Sequence, residues 1–195
     1  MNHGRARLGL SGLFVLLALQ SVAAEAPWRV ERGDVRVLVP LKPGGAFTAG
    51  TSALTGALVL EPGKPARLTG EISMDLATID TGIALRNKHL RETYLEVAKG
   101  AGFDKAVLSE IRLNEADGES FDGRTAFTGN LLLHGMKHAV DGTAEIRHDG
   151  QGRRVQAEFR IVLTDFGVKP PEYLGVGVGD RLLVKVDLTA AQSAK

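Results

Sequence analysis

Residues 155–164 read Val-Gln-Ala-Glu-Phe-Arg-Ile-Val-Leu-Thr, and apolar side chains stand at every second position from Val155 to Leu163. Successive side chains of a β-strand point to opposite faces, so the residues at 155, 157, 159, 161 and 163 share one face. Gln156, Glu158, Arg160 and Thr164 fall on the other. This stretch predicts a strand with one face against a core and one face toward water.

The same period of two recurs along the chain. It is found in 35–39, 72–76, 140–146 and 182–188, and glycine-rich turns such as Pro43-Gly44-Gly45 and Asp149-Gly150 separate the segments. Strand-length segments at this spacing, without long helices between them, predict a mainly β protein. The residues alone favour an antiparallel sheet that is either closed as a barrel or folded as a sandwich.

One segment has a helical pattern instead. From Arg86 to Val97, the apolar residues Leu90, Tyr94 and Val97 recur at spacings of four and three. Such spacing places them on one helix face. We therefore expect one short helix after the turn Ile79–Gly82, ending before the glycines at 100 and 102.

The N-terminus is typical of a secretory signal. Arg5 and Arg7 precede an apolar run from Leu8 to Leu19, and small residues end the segment at Val22-Ala23-Ala24. The run is shorter than the roughly 20 apolar residues of a membrane span. We expect residues 1–24 to be removed and residues 25–195 to form one exported domain with no stable membrane span.

Composition excludes several functions. The chain has 195 residues, 44% hydrophobic and 24% charged, with a net charge of +1 and no cysteine. No segment is basic enough for a nucleic-acid binder, and disulfide or cysteine–metal sites are excluded. His134 and His138 bracket Gly135-Met136-Lys137, which predicts a hairpin turn rather than a metal-binding helix face. The sequence contains no recognisable catalytic or cofactor motif, so we expect a non-enzymatic binding protein without a metal or cofactor.

Several motifs carry a resemblance to a known family. They are Ile79-Asp80-Thr81-Gly82 followed by Arg86-Asn87-Lys88-His89-Leu90, Trp28-Arg29-Val30, the segment 129–140, Asp165-Phe166-Gly167-Val168 and Gly179-Asp180. In this order they resemble the YceI-like family of exported bacterial polyisoprenoid-binding proteins over about residues 27–190. Asn87 stands where the family pattern has aspartate.

The resemblance implies a single lipocalin-like antiparallel barrel that holds a polyisoprenoid or isoprenoid quinone. A barrel of about eight strands leaves room for one narrow ligand. At about 0.8 kcal/mol per buried CH₂-sized group, one five-carbon unit could contribute up to roughly 4 kcal/mol before costs. The residues that we expect to contact the lipid tail, or simply to fill a solid core, are Phe47, Ile72, Met74, Leu76, Leu90, Tyr94, Leu131, Leu133, Phe159, Ile161, Leu182 and Val184.

Arg86, Lys88 and His89 are the expected head-group contacts. Arg86 could instead tie the helix to a neighbouring carboxylate or carbonyl, and His89 could make a structural hydrogen bond. Two other functions remain open at this point: an envelope interaction module with a packed core, and a lipid hydrolase or isomerase with Asp75, His89 or Asp165 facing inward. The sequence also leaves homodimerisation open.

Overall fold

The computed structural model describes residues 26–150 and 152–192, so the expected signal sequence, residues 1–24, lies outside the described residues. No helix in those two ranges is long and apolar enough to cross a membrane. The described elements are β1 (Trp28–Lys42), β2 (Ala46–Thr51), β3 (Leu54–Glu61), β4 (Ala66–Asp75), α1 (Ala84–His89), β5 (Lys105–Leu113), β6 (Gly123–Leu133), β7 (Met136–Asp149), β8 (Gly152–Val162), β9 (Glu172–Tyr173), β10 (Val176–Val178) and β11 (Arg181–Gln192).

Eight strands of the described chain close into a barrel. Going round the wall, the order is β1, β3, β4, β5, β6, β7, β8 and β11, and β11 pairs with β1 to close it. Every pairing is antiparallel. The structure thus confirms the predicted mainly β, antiparallel barrel. Strand β2 folds back on β1, and the short β9–β10 hairpin pairs with the end of β1 at Leu41.

Two bulges change which residues face inward. On β1 the register with β11 shifts between Val30 and Arg32, so the inward positions change from even to odd numbers. On β5 the shift falls at Glu110, whose φ of 54° is left-handed. Each bulge keeps apolar side chains inside the barrel on both sides of the irregularity.

The predicted helix is present, but its bounds differ from the expectation of Arg86–Val97. Helix α1 begins at Ala84, and a π-helical turn, Leu90–Tyr94, continues it directly. In this turn the Leu95 N–H donates to the Leu90 carbonyl at 2.9 Å. Glu96 then takes a left-handed conformation with φ of 50°, which ends the helix before Val97. Leu90 and Tyr94 therefore stay on one helical face, and Val97 belongs to a separate turn.

The barrel has two different ends. The α1 end carries α1, the β1–β2 turn, the β6–β7 turn and the β9–β10 hairpin. The Trp28 end carries the start of β1 and is crossed by the loop 114–122. This loop is tied to the β3–β4 turn, since the Gly63 N–H donates to the Asp117 carbonyl and the Ala66 N–H donates to the Ala116 carbonyl.

Candidate ligand-binding cavity

A cavity of about 770 Å³ lies inside the barrel. All eight barrel strands contribute residues to its wall. The wall also reaches both barrel ends, with Trp28 at one end and Leu85 at the other. Apolar side chains form most of this wall, and its charged members lie at the ends: Arg86 and Glu172 at the α1 end, Arg153 and Glu119 at the Trp28 end. Sites for small molecules usually measure roughly 300–1,000 Å³, so this volume suits one ligand of substantial size.

All twelve residues that the sequence suggested for a lipid tail lie on the cavity wall. Strands β2, β4, β6, β8 and β11 direct nine of them inward, and the helical segment places Leu90 and Tyr94 over the α1 end. The twelfth, Leu76, lies in the short turn directly after β4. The set shares one property, which is that every member is apolar or aromatic: Phe47, Ile72, Met74, Leu76, Leu90, Tyr94, Leu131, Leu133, Phe159, Ile161, Leu182 and Val184.

Sequence reasoning missed part of the wall, along strands β1, β3 and β5 and in the loop 114–122. Leu58 and Leu60 of β3 alternate, as do Val35, Val37 and Val39 of β1, so their period of two was a usable signal. Strand β5 gave no such signal, because its bulge at Glu110 moves the inward residues from even to odd positions. The loop residue Phe121 had no periodic pattern at all.

The Trp28 end is covered. The guanidinium of Arg153 lies over the Trp28 ring at 5.1 Å and donates to the carbonyl oxygens of Glu119 and Gly152. Gln192 donates to the Glu119 carboxylate at 2.5 Å, which fastens the crossing loop to the last strand. Half-buried Trp28 and Phe121 lie beneath this layer and form the floor of the cavity.

At the α1 end, exposed apolar residues form part of the wall. Ile83, Leu85 and Val176 line the cavity and are also exposed to water, so the cavity opens between α1 and the β9–β10 hairpin. Arg86 and His89 lie on the wall here, and the Arg86 guanidinium stacks on the Phe47 ring at 4.1 Å. Lys88 is exposed and is not part of the wall, so the structure brings two of the three expected head-group residues to the opening.

Helix α1 is fixed to the preceding turn by side-chain hydrogen bonds. The Asn87 amide oxygen accepts from the Thr81 N–H at 2.8 Å and from its hydroxyl at 2.7 Å, and the Asn87 amide nitrogen donates to Asp80 at 2.6 Å. The hydrogen bonds that Asp80 accepts from the Asn87 amide and from the Gly82 N–H hold the pKa of Asp80 below its usual value. Arg91, rather than Arg86, makes the hydrogen bond that anchors the helix to a neighbouring carbonyl: it donates to the Ile79 carbonyl at 2.6 Å.

His134 lies at the predicted hairpin turn, outside the cavity wall. His134 and Gly135 have φ of 51° and 75° between the paired Leu133 and Met136, as in a type I′ turn. The His134 Nδ1 atom lies 3.0 Å from the Phe166 carbonyl oxygen, so Nδ1 must donate, and Nε2 lies 2.9 Å from a Glu96 oxygen. The pKa of Glu96 is lowered, mainly by its hydrogen bond with Lys99 and to a smaller extent by its hydrogen bond with His134. His134 thus joins the β6–β7 turn to the turns on both sides of it.

The residues considered for catalysis are not brought together. Asp75 accepts from the Ala77 N–H at 2.8 Å and caps a short turn, Asp165 is exposed, and His89 alone of the three lies on the cavity wall. Within residues 26–150 and 152–192, no group of three histidine or carboxylate side chains is arranged to hold a metal ion.

An eight-stranded antiparallel barrel around an apolar cavity defines the class of small closed β-barrel proteins. The family model described as "YceI-like domain" matches residues 35–190, and the chain belongs to this family. The family resemblance seen in the sequence motifs is confirmed.

Curated relatives match a part of the chain. The UPF0312 protein of Enterobacter sp. (strain 638) is 31% identical over 120 residues, and Protein YceI of Salmonella arizonae is 29% identical over 120 residues. Each match covers 58% of this chain and spans 58% and 59% of the length of those relatives.

Solved structures share the fold at low identity. A polyisoprenoid binding domain from Saccharophagus degradans superposes with a TM-score of 0.64 at 15% identity, over 87% of this chain and all of that one. Burkholderia cenocepacia BcnA also gives 0.64 at 15% identity, over 82% of this chain and 96% of that one. The Campylobacter jejuni YceI protein gives 0.51 at 14% identity, over 73% and 82%.

Proposed function

We propose that this protein is a non-enzymatic periplasmic carrier that holds one long apolar lipid, a polyisoprenoid or an isoprenoid quinone, inside the barrel. The observation that carries the proposal is the cavity, which is apolar along its length and continuous between the two barrel ends. An interaction module with a packed core would need no such space. Membership of the YceI-like family and the likeness to a polyisoprenoid binding domain support the same ligand class.

The tail accounts for affinity in this proposal. Each CH₂-sized group removed from water contributes about 0.8 kcal/mol, and the wall offers aliphatic side chains from Trp28 up to Leu90. A linear, narrow chain fits because a strand of about ten residues extends roughly 33 Å, which makes the barrel interior elongated. The twelve wall residues expected from the sequence would contact the tail.

The polar end of the ligand would lie at the α1 end. Arg86 and His89 are on the wall beside the opening, and a guanidinium can donate paired hydrogen bonds to a phosphate or a hydrogen bond to a quinone oxygen. Lys88, exposed on the same helix, would act on the head group through its charge rather than through contact. Export to the periplasm rests on the signal-like residues 1–24.

Native mass spectrometry of protein exported with its own leader and purified without detergent tests the proposal. We expect one copurified lipid per chain, identified after extraction as a prenyl-containing molecule. Ala157→Phe, which places a ring in the cavity, should lose the lipid, and Ala139→Phe on the outer face of β7 should retain it. Lipid-free protein under these conditions, or equal lipid in both variants, would contradict the proposal.

A further inference from the structure

The opening of the cavity is surrounded by exposed apolar side chains from two elements. Ile83 and Leu85 at the start of α1 are 49% and 62% exposed, and Leu174 and Val176 on the β9–β10 hairpin are 85% and 61% exposed. Three of these four residues line the cavity itself, and Leu174 is two positions from Val176. Exposed apolar side chains gathered at one place indicate an interaction surface.

Leu174 occupies an unusual position for a leucine. Leu174 and Gly175 have φ of 51° and 75° between the paired Tyr173 and Val176, which describes a two-residue type I′ turn. The first position of that turn usually holds asparagine, aspartate or glycine, because a bulky side chain is strained at positive φ. The hairpin therefore holds a leucine at its tip, in water, against local preference.

The segments around the opening carry a net positive charge. We define the rim as the three segments 39–47, 80–91 and 169–178, which surround the opening. The rim carries five basic and two acidic side chains, a net charge of +3, whereas the whole chain carries +1. Lys42, Lys88 and Lys169 are exposed on it. Apolar tips among lysines suit a bilayer with anionic headgroups, in which the tips enter the interface and the lysines contact phosphates.

We propose that the rim docks on the surface of an anionic bilayer, so that the cavity opens directly against the lipids. The inference extends the proposed function, since it states where a lipid ligand enters and leaves. Docking itself needs only the rim, so it can be measured whether or not the cavity holds cargo. A ligand with a long apolar tail would then pass between bilayer and cavity without crossing water, which avoids exposing the tail.

Flotation with vesicles tests docking. The probes are vesicles of phosphatidylcholine mixed with phosphatidylglycerol, compared with vesicles of phosphatidylcholine alone. We expect binding to the anionic vesicles that weakens as salt is added and is at least fivefold weaker without phosphatidylglycerol. Lys88→Gln should weaken binding about fivefold, because one lysine near an anionic membrane surface increases the affinity by about that factor.

The decisive variant is Leu174→Asn. Asparagine suits the left-handed turn position, so this variant should fold at least as stably as the native protein while losing the apolar tip. We expect its binding to anionic vesicles to fall about tenfold. Leu38→Thr, which removes an exposed leucine from the outer wall of β1, is the matched control and should bind normally.

Three results would overturn the inference: no flotation with anionic vesicles, equal binding by Leu174→Asn and native protein, or a dimer in solution that Leu174→Asn converts to a monomer. The last would assign the rim to a second copy of the chain. Lipid content measured by native mass spectrometry in the same samples separates a failure of docking from a failure of the proposed carrier function.

Discussion

The side chain of Asn87 is chemically complementary to the carboxylate of its neighbour Asp80. Its amide nitrogen donates to Asp80 at 2.6 Å while its oxygen accepts twice from Thr81. The family pattern has aspartate at this position, and a carboxylate there could not donate to Asp80. In this chain the amide therefore satisfies a negative charge beside it, which explains why the Asn87 contact is the largest cause of the lowered pKa of Asp80.

We predict that Asn87→Asp lowers the melting temperature at neutral pH, because two carboxylates would then face each other. In the native protein the lowered pKa means that ionised Asp80 stabilises the fold above its unfolded pKa, and that this contribution is lost as pH falls through the folded pKa. In the variant, protonation relieves the repulsion, so the deficit should shrink as pH falls toward about 4. Thermal unfolding at several pH values measures this.

Asn114→Asp, at an exposed position near the Trp28 end, is the control and should change the melting temperature little at any pH. A deficit in Asn87→Asp that is the same at neutral and acidic pH would show that the Asp80–Asn87 contact does not act through charge.

At the scale of elements, Gly142 lets three strands pack closely. It lies on β7 between Phe127 of β6 and Phe159 of β8, and the two rings meet edge to face with centroids 5.9 Å apart. A Cβ atom at Gly142 would lie 2.3 Å from the Glu158 carbonyl oxygen and 2.7 Å from the Phe159 Cβ atom. Backbone cannot give way cheaply at such distances, so the position requires glycine.

Gly142→Ala should reduce the free energy of unfolding by about 1–3 kcal/mol, the usual cost of forcing an extra carbon into a packed site. Urea unfolding measures the change. Gly44→Ala in the β1–β2 turn, where a Cβ atom meets nothing within 4 Å, should stay within about 0.5 kcal/mol of native. Equal stability of the two variants would mean that the wall adapts at Gly142.

How far the sequence predicts the fold depends on how regular each element is. Strands β8 and β11 follow a strict period of two and were predicted with their inward faces. Strand β5 could not be predicted from a period of two. Its bulge at Glu110 moves the inward-facing residues from even to odd positions within one strand. The helix ends before Val97 because Glu96 adopts a left-handed conformation. The Glu96 side chain contacts Lys99, three residues on, and also His134, which is distant in sequence and could not be anticipated from the local pattern.

The candidate site was predictable to a similar extent. The twelve expected tail residues lie on the wall because alternation fixes the inward face of a strand once the barrel is closed. Alternation does not tell a filled core from a hollow one, since that depends on how side chains from opposite walls meet. The cover over Trp28, made by Arg153 and the loop 114–122, has no periodic signal and emerged only from the structure.

At the scale of the whole molecule, the two ends of the barrel have different roles. Hydrogen bonds from Arg153 and Gln192 hold the crossing loop over the Trp28 end, while exposed apolar residues and lysines surround the α1 end. A ligand would therefore enter tail first at α1 and extend toward Trp28. Its length would be limited by the floor that Trp28 and Phe121 form.

The most direct test uses Trp28, the single tryptophan of the chain, as a reporter at the cavity floor. Purified, delipidated protein is titrated with a polyprenyl alcohol while the Trp28 emission is recorded, with Ala157→Phe as the blocked variant and Ala139→Phe as its control. We predict a saturable blue shift at one ligand per chain in the native protein and in Ala139→Phe, and none in Ala157→Phe. Trp28 emission that does not respond to the ligand, or responds equally in the blocked variant, would contradict a lipid-filled barrel.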